Sequence, residues 1–119
     1  HDPEGIEMMI EETILNYLSD ALDAPVCMEV PPEPPGRFVV LEKTGSSRTD
    51  HICSAVIAVQ SYAESLLETA RLNKRVKEAM DEVDDLDEIA SVRLNTDCNF
   101  TDPAAKRYRY QAVFDITHY

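Results

Sequence analysis

Glycine is scarce in this chain of 119 residues: only Gly5, Gly36 and Gly45 occur, and each is isolated. This scarcity excludes the glycine-rich loops whose backbone N–H groups bind phosphates in nucleotide-dependent enzymes. No serine or cysteine lies in the glycine-flanked turn that exposes the nucleophile of many hydrolases. The sequence therefore predicts a protein that is not an enzyme and that takes no cofactor or metal.

Basic residues are also few, with 11 Lys and Arg against 23 Asp and Glu and a formal net charge of −12. Such a chain repels nucleic acid as a whole, and a specific binder of this size normally carries a basic stripe. No apolar run approaches the length of a membrane span, and no secretory signal pattern occurs. We therefore expect no specific nucleic-acid binding, no membrane insertion and a cytoplasmic compartment.

The cysteines number three, Cys27, Cys53 and Cys98, and they are widely spaced. An odd number at wide spacing is a poor disulfide framework. We expect each cysteine to be a small buried hydrophobic residue of a strand.

The stretch from Arg107 to Tyr119 alternates between two kinds of residue. One side carries Tyr108, Tyr110, Ala112, Phe114, Ile116 and His118, and the other carries Arg107, Arg109, Gln111, Asp115 and Thr117. Period-two alternation predicts a β-strand with one buried and one wet face. Residues 90–100 alternate in the same way, with Ala90, Val92, Leu94, Thr96, Cys98 and Phe100 on one side. The intervening Asp102-Pro103 favours a turn, so the two stretches predict a long antiparallel hairpin.

The rest of the chain predicts two helices and three further strands. Apolar residues recur at helical spacing over 6–22 and over 61–83, where Ser61 and Glu64 match a capping box. Strands are predicted over 26–30, 37–44 and 51–60. The order α-β-β-β-α-β-β predicts one α+β domain over 9–119, with two helices packed on a mostly antiparallel sheet. Residues 1–8 are expected to be a non-native or disordered leader.

Four segments have features beyond the fold. Pro31 to Gly36 predicts an extended polyproline connection, or else a docking peptide. Gly45 to Asp50 predicts a flexible polar loop. The second helix is apolar over more than half of its circumference, which indicates contact outside the monomer. The acidic run Asp81 to Glu88 fits a solvated turn, a calcium loop that lacks its glycine, or a patch facing a partner.

A family resemblance rests on three stretches of this sequence. They are the C-terminal hairpin Cys98–Tyr119, the strand-to-helix stretch Ala55–Met80, and the proline connection that leads into Phe38–Gly45. Over about Met9 to Tyr119 the chain resembles the tail-completion proteins of long-tailed bacteriophages and prophages, also called tail terminator or tail-to-head joining proteins.

The resemblance implies a structural role without catalytic residues. Such subunits form a ring, typically of six, at the head-proximal end of the tail tube. The ring stops tube polymerisation and offers its other face to the head connector or neck protein, and DNA passes through its lumen. The implied locations are the host cytoplasm during assembly and then the virion tail.

A ring needs two different matching patches on each subunit. Charge complementarity suggests the basic face of the last strand, Arg107 and Arg109, for one patch. The acidic stretch, with Asp81, Asp84, Asp85 and Asp87, is the expected other patch. Arg48, in the predicted loop, is a further expected contact with the tube or the neck.

Two alternatives stay open. The first is another neck or head-completion protein. The second is a small cytoplasmic metal-binding domain or enzyme that uses His51, Cys53 and His118, since His51 and Cys53 are two residues apart and would share a strand face.

Overall fold

The computed structural model describes residues 9–101 and 107–119. The elements are α1 (Ile10–Ala21), β1 (Val26–Cys27), β2 (Phe38–Thr49), β3 (Ile52–Ala63), α2 (Leu66–Met80), β4 (Ile89–Asn99) and β5 (Tyr108–His118), with one 3-10 turn at Val83–Asp85. The predicted order and the α+β class are confirmed. The expected leader, 1–8, and most of the predicted turn between β4 and β5 lie outside the described residues.

The C-terminal strand lies inside the sheet and has a partner on each side. The strand order is β1-β2-β3-β5-β4, and every pairing is antiparallel except that of β1 with β2. Along its length β5 pairs with β3 on one side and with β4 on the other. The predicted need of this strand for hydrogen-bonding partners is therefore met twice.

Both helices pack on the same face of the sheet. One buried cluster joins them to the strands, and it contains Ile14, Leu18, Leu72, Val76, Met80, Val39, Leu41, Ile57, Val59, Ala112, Phe114 and Ile116. Directly paired antiparallel residues point to one side, so alternate residues of the same strands face the other side. We call that other side the open face: on it lie Val40, Glu42, Val56, Ala58, Gln60, Tyr62, Arg109, Gln111, Val113 and Asp115. No described helix covers the open face.

The alternation predicted for the last strand is confirmed at its centre. Ala112, Phe114 and Ile116 are buried under the helices, whereas the end residue Tyr108 is 40% exposed. The aliphatic Val113 falls on the open face and is half-buried. The strand therefore contributes one face that is apolar and buried at its centre and one mixed face.

The alternation predicted for β4 is wrong beyond Leu94. The register with β5 shifts between Leu94 and Thr96, so a β-bulge inserts one residue. As a result Thr96 and Cys98 face away from the helices, and Asp97 faces them. There Asp97 accepts hydrogen bonds from Asn73 (2.7 Å) and Lys77 (2.5 Å) of α2.

The second helix begins later than predicted. Strand β3 continues to Ala63, and the predicted cap Ser61 is a fully buried strand residue. The helix is capped by Ser65, whose Oγ accepts the N–H of Glu68 at 3.2 Å. The same Ser-x-x-Glu spacing occurs twice within eight residues, and the strand pairing selects the second copy.

The predicted loop over Gly45 to Asp50 is instead mostly strand. Strands β2 and β3 pair as far as Thr49 with Ile52, with one bulge between Lys43 and Gly45. Only Asp50 and His51 form the turn, and both have positive φ, 50° and 72°. A two-residue turn of this kind matches the right-handed twist of the flanking strands.

Two shorter predictions also change. The first strand covers only Val26–Cys27 of the predicted 26–30, and Met28 and Val30 beyond it are 45% and 49% exposed. The three cysteines are free, but Cys98 is exposed, so the expectation that all three are buried is wrong. Burial of Cys27 raises the pKa of its thiol, with a smaller upward contribution from the Glu29 charge.

The hairpin turn generates a first prediction. Replacing His51 by glycine removes the steric cost of a side chain at φ 72°. We expect His51→Gly to raise the free energy of unfolding by about 1 kcal/mol. That gain corresponds to roughly 4 °C in a thermal melt at fixed protein concentration. His51→Ala is the matched control, because alanine keeps the Cβ. Equal melting temperatures for the two variants would contradict the turn geometry.

The Asp97 contact generates a second prediction. Burial raises the pKa of Asp97, but the hydrogen bonds from Lys77 and Asn73 and the Lys77 charge outweigh it, so the net pKa is lowered. A lowered folded-state pKa stabilises the fold above the unfolded pKa of about 3.9, and this contribution is lost as pH falls through the folded value. Asp97→Asn should therefore cost about 1 kcal/mol at neutral pH.

Urea unfolding at several pH values measures this effect. The difference in the free energy of unfolding between wild type and Asp97→Asn should disappear below about pH 4. Asp20→Asn, at an exposed position of α1, is the control and should change little. If this difference in the free energy of unfolding stays constant down to acid pH, the ionised form of Asp97 does not contribute to stability.

Candidate interaction surface

One end of the open face carries a row of alternating arginine and aromatic side chains. We call it the arginine–aromatic row; it runs Arg107, Phe38, Tyr62, Arg109, Phe100. The Phe38 and Tyr62 rings are stacked, with centroids 4.6 Å apart and planes 5° from parallel. The register explains the row, because Phe38 pairs with Tyr62 and Tyr62 pairs with Arg109 across three neighbouring strands.

Arg107 links the proline connection to this row through hydrogen bonds. Its Nη1 donates to the carbonyl of Pro35 at 3.0 Å, and its Nη2 donates to the carbonyl of Pro34 at 3.3 Å. The guanidinium also lies 5.8 Å from the centroid of Phe38, within range of a cation–π contact. The predicted polyproline connection thus contacts its own chain, and Phe38 beneath it is fully buried.

Arg109 occupies the other, more exposed end of the row. Its guanidinium carbon lies 4.5 Å from the Phe100 ring centroid and 5.7 Å from that of Tyr62. Nε donates to the carbonyl of Phe100 at 3.1 Å, and Nη1 donates to the Tyr62 hydroxyl at 3.2 Å. Phe100 is 48% exposed, so this corner presents a fixed guanidinium beside an accessible ring.

Neither arginine of the row has a carboxylate partner among residues 9–101 and 107–119. Other cations of the chain do: Arg37 and Arg75 contact Asp23, Lys43 contacts Glu11, Lys77 contacts Asp97, and Arg93 contacts Asp115. Arg48, Arg71 and Lys74 also lack such a partner, but they are exposed, whereas the two guanidinium groups of the row are half-buried and bonded to neutral oxygens. Within the described residues their positive charge is therefore not compensated by a carboxylate.

The middle of the open face is flat and mixed in polarity. Gln60 Nε2 donates to Gln111 Oε1 at 3.0 Å, and the Tyr62 hydroxyl donates to Gln60 Oε1 at 3.2 Å. Beyond the glutamines, Ala58 is buried and its strand partner Val113 is half-buried. Such a surface, with satisfied amides beside small aliphatic groups, is typical of a protein interface that tolerates exposure to water.

The acidic stretch lies at the opposite end of the sheet. The β5 residue His118 pairs with Ile89, and the Tyr119 N–H donates to the Glu88 carbonyl at 3.0 Å. Strand β5 has 11 residues, so this end is about 30 Å from Tyr108, which begins the strand next to Arg107. The two predicted patches are therefore not brought together within one chain.

The predicted acidic contacts Asp81, Asp84, Asp85 and Asp87 are all exposed. No ion pair joins them to a cation within the described parts of the chain. Burial raises the pKa of the nearby Tyr17 hydroxyl, and the charges of Glu82, Asp85 and Asp84 raise it further. The negative charges of this segment therefore lie near the Tyr17 hydroxyl.

Arg48 lies in the long hairpin rather than in a loop. It is exposed and pairs with Cys53, on the helix side of the sheet. With Lys43, Glu11 and Tyr119 it lines an open groove of about 630 Å³ between the hairpin and the start of α1. Arg48 is therefore remote from the arginine–aromatic row and from the open face.

The residues of the metal alternative are only partly brought together. Cys53 and His118 are direct partners across β3 and β5, but His51 lies in the turn. Two ligands do not make a protein metal site, which usually has at least three. Among the described residues no group of three His, Cys, Asp or Glu side chains converges on one point.

The aromatic members of the row were missed from the sequence. Phe38, Tyr62 and Phe100 lie in three separate segments, and only the strand register brings them beside the arginines. A partial signal existed: Arg107 and Arg109 occupy alternate positions of one strand and were predicted to share a face. Their partners required the pairing of β3 with β5.

No family model matches this chain, and no curated protein matches it significantly. Within the described ranges, no helix is long and apolar enough to cross a membrane.

The Arg107 contacts generate a third prediction. Arg107→Ala removes two hydrogen bonds to carbonyls and a cation–π contact, and it uncovers part of Phe38. We expect a loss of about 1–2 kcal/mol in the free energy of unfolding and faster proteolysis within Pro31–Gly36. Arg71→Ala is the control, because Arg71 is exposed on α2 and contacts no described partner. If both substitutions have the same effect, Arg107 does not hold the connection.

Proposed function

We propose that this protein is a structural subunit that assembles into a ring, and specifically a tail terminator of a phage or prophage. In this role the ring caps the head-proximal end of the tail tube and joins it to the head connector or neck protein. The proposal combines the resemblance described above with three features of the structure. It involves no covalent chemistry.

The open face of the sheet carries the proposal. Both helices cover one side, while Val56, Gln60, Gln111 and Val113 on the other side are only half-buried. A sheet in a single-chain protein can leave one face wet, but such a face is then mainly polar. Here aliphatic, aromatic and hydrogen-bonded amide groups adjoin one another, which favours a protein partner over water.

Exposed apolar side chains elsewhere add to this surplus. Leu66 and Leu67 at the start of α2 are 43% and 61% exposed, and Leu94 on the edge strand β4 is 42% exposed. Leu66 and Leu67 are the exposed part of the apolar excess predicted for the second helix. A subunit with several such areas is suited to contacts with more than one neighbour.

The charge distribution suits a head-to-tail ring. The two arginines of the row and the exposed acids, which have no ion-pair partner among the described residues, lie at opposite ends of a molecule 45 Å long. A heterologous interface that closes on itself requires two different patches on each subunit. Opposite charges at the two ends would orient neighbouring subunits in one direction.

A mass measurement tests the proposal directly. We expect light scattering of the purified protein to give a defined multiple of 13.4 kDa, and particle images to show a ring with a central hole. Because the ends carry opposite charges, assembly should weaken as salt concentration rises. A particle that stays monomeric at low salt and at the highest soluble concentration would contradict self-assembly. A closed two-fold dimer would contradict the ring.

Binding to a tail tube separates the terminator role from another neck role. A ring that attaches to the end of polymerised tubes and stops their growth supports the terminator proposal. A ring that attaches only to the head connector would assign the protein to the head-completion group instead.

A further inference from the structure

We propose that the corner formed by Arg109 and Phe100 binds the acidic segment Asp84–Asp87 of a second copy of this chain. The inference rests on the proposed ring and specifies its contact. It also separates two arginines that the sequence treats as one patch: Arg109 makes the contact between subunits, and Arg107 holds its own subunit together.

Arg109 is already positioned for an incoming carboxylate. A guanidinium has five N–H donors in a rigid fork, and the described residues use those of Nε and one of Nη1. Among the described residues the remaining donors, including both on Nη2, have no acceptor, and carboxylate oxygens can bind them. Because Phe100 and Tyr62 fix the side chain on both sides, binding costs less conformational entropy than for a mobile surface arginine.

Phe100 adds an exposed apolar surface to the charge of Arg109 at this corner. Its ring is 48% exposed beside the guanidinium. Contact with a neighbouring chain would remove this apolar area from water and would lower the local dielectric around the ion pair. An arginine with an adjacent aromatic ring is typical of the residues that contribute most to binding at interfaces.

The acidic segment fits this corner better than other anions do. Asp84, Asp85 and Asp87 are exposed and close together, so they repel one another until a cation approaches. A short helical turn over Val83–Asp85 and the burial of Val83 fix the backbone that carries them. Nucleic acid is a poor alternative, since the net charge of −12 repels it.

Arg107 differs because its contacts are internal. It is bonded to the carbonyls of Pro34 and Pro35, so an incoming carboxylate would have to displace the proline connection. Its loss should therefore lower the stability of the subunit. Loss of the Arg109 charge should lower the association of subunits.

Charge reversal with complementation tests the contact. Variant one is Arg109→Glu, and variant two is Asp84→Lys with Asp85→Lys. Each alone should weaken self-association about tenfold at low salt, equivalent to ~1.4 kcal/mol. Mixed in equal amounts they should assemble again, because both the native contact and the reversed contact can form in alternation. Strict alternation allows only rings with an even number of subunits.

The outcomes are distinguishable. If wild type does not assemble, the ring and this contact are both wrong. If wild type assembles and Arg109→Glu assembles equally well, the ring stands and the contact is wrong. If each variant fails alone and the mixture also fails, while circular dichroism shows folded protein, the two patches do not face each other. Arg71→Glu, with the same charge change on the outside of α2, should assemble normally.

In the remaining outcome, the Arg109 corner binds a protein other than a second copy of this chain. If Arg109→Glu weakens binding to the tail tube or the connector but leaves the mass of the ring unchanged, the corner binds a different protein, and the inference fails.

Discussion

One constraint governs this structure: the sheet has two faces, and both of its helices pack on the same one. The long β2–β3 hairpin and the β4–β5 pair create a broad sheet, whereas α1 and α2 contribute only one layer. The core beneath the helices is closed, with Ile14, Leu72 and Phe114 almost fully buried. The arginine–aromatic row and the paired glutamines both lie on the uncovered side.

The uncovered side is specialised along its length. The proline connection and Arg107 cover one corner, where Phe38 is inaccessible. Towards β4 the same row ends in an arginine and a half-exposed ring, and the glutamines and small aliphatic residues follow behind. Thus one register of paired strands places Arg107 against the proline connection and Arg109 beside a half-exposed ring, so neighbouring side chains have different contacts.

The sequence was informative where local periodicity determines structure. The alternation in β5 correctly predicted a strand with one buried face, because Ala112, Phe114 and Ile116 obey it without interruption. The prediction from alternation was wrong where one residue is inserted. The bulge in β4 places Asp97, rather than Thr96, against α2. Nothing in the local sequence pattern indicates that shift. The polar segment Gly45 to Thr49 suggested a loop, but pairing with β3 makes it a strand despite its low propensity. Likewise, the sequence contains two Ser-x-x-Glu capping motifs, and the pairing of β3 determines that the second one caps the helix.

The candidate surface was only partly predictable for a related reason. The two arginines are near each other in sequence, so their shared face could be expected. Their aromatic partners come from β2, β3 and the end of β4, and the separation of the acidic stretch from the arginines depends on the direction of β5. Arg107 and Arg109 differ in their individual hydrogen bonds, and no sequence pattern predicts which bonds each one makes.

The bulges in β4 have a consequence for the fate of the unassembled chain. Among the described strands, β4 pairs on one side only, and it shifts register near both Ala90 and Asn95. A long, straight, bare edge is the usual template on which copies stack into fibrils. Two bulges and the exposed Arg93 interrupt that template, which disfavours the stacking of copies along this edge.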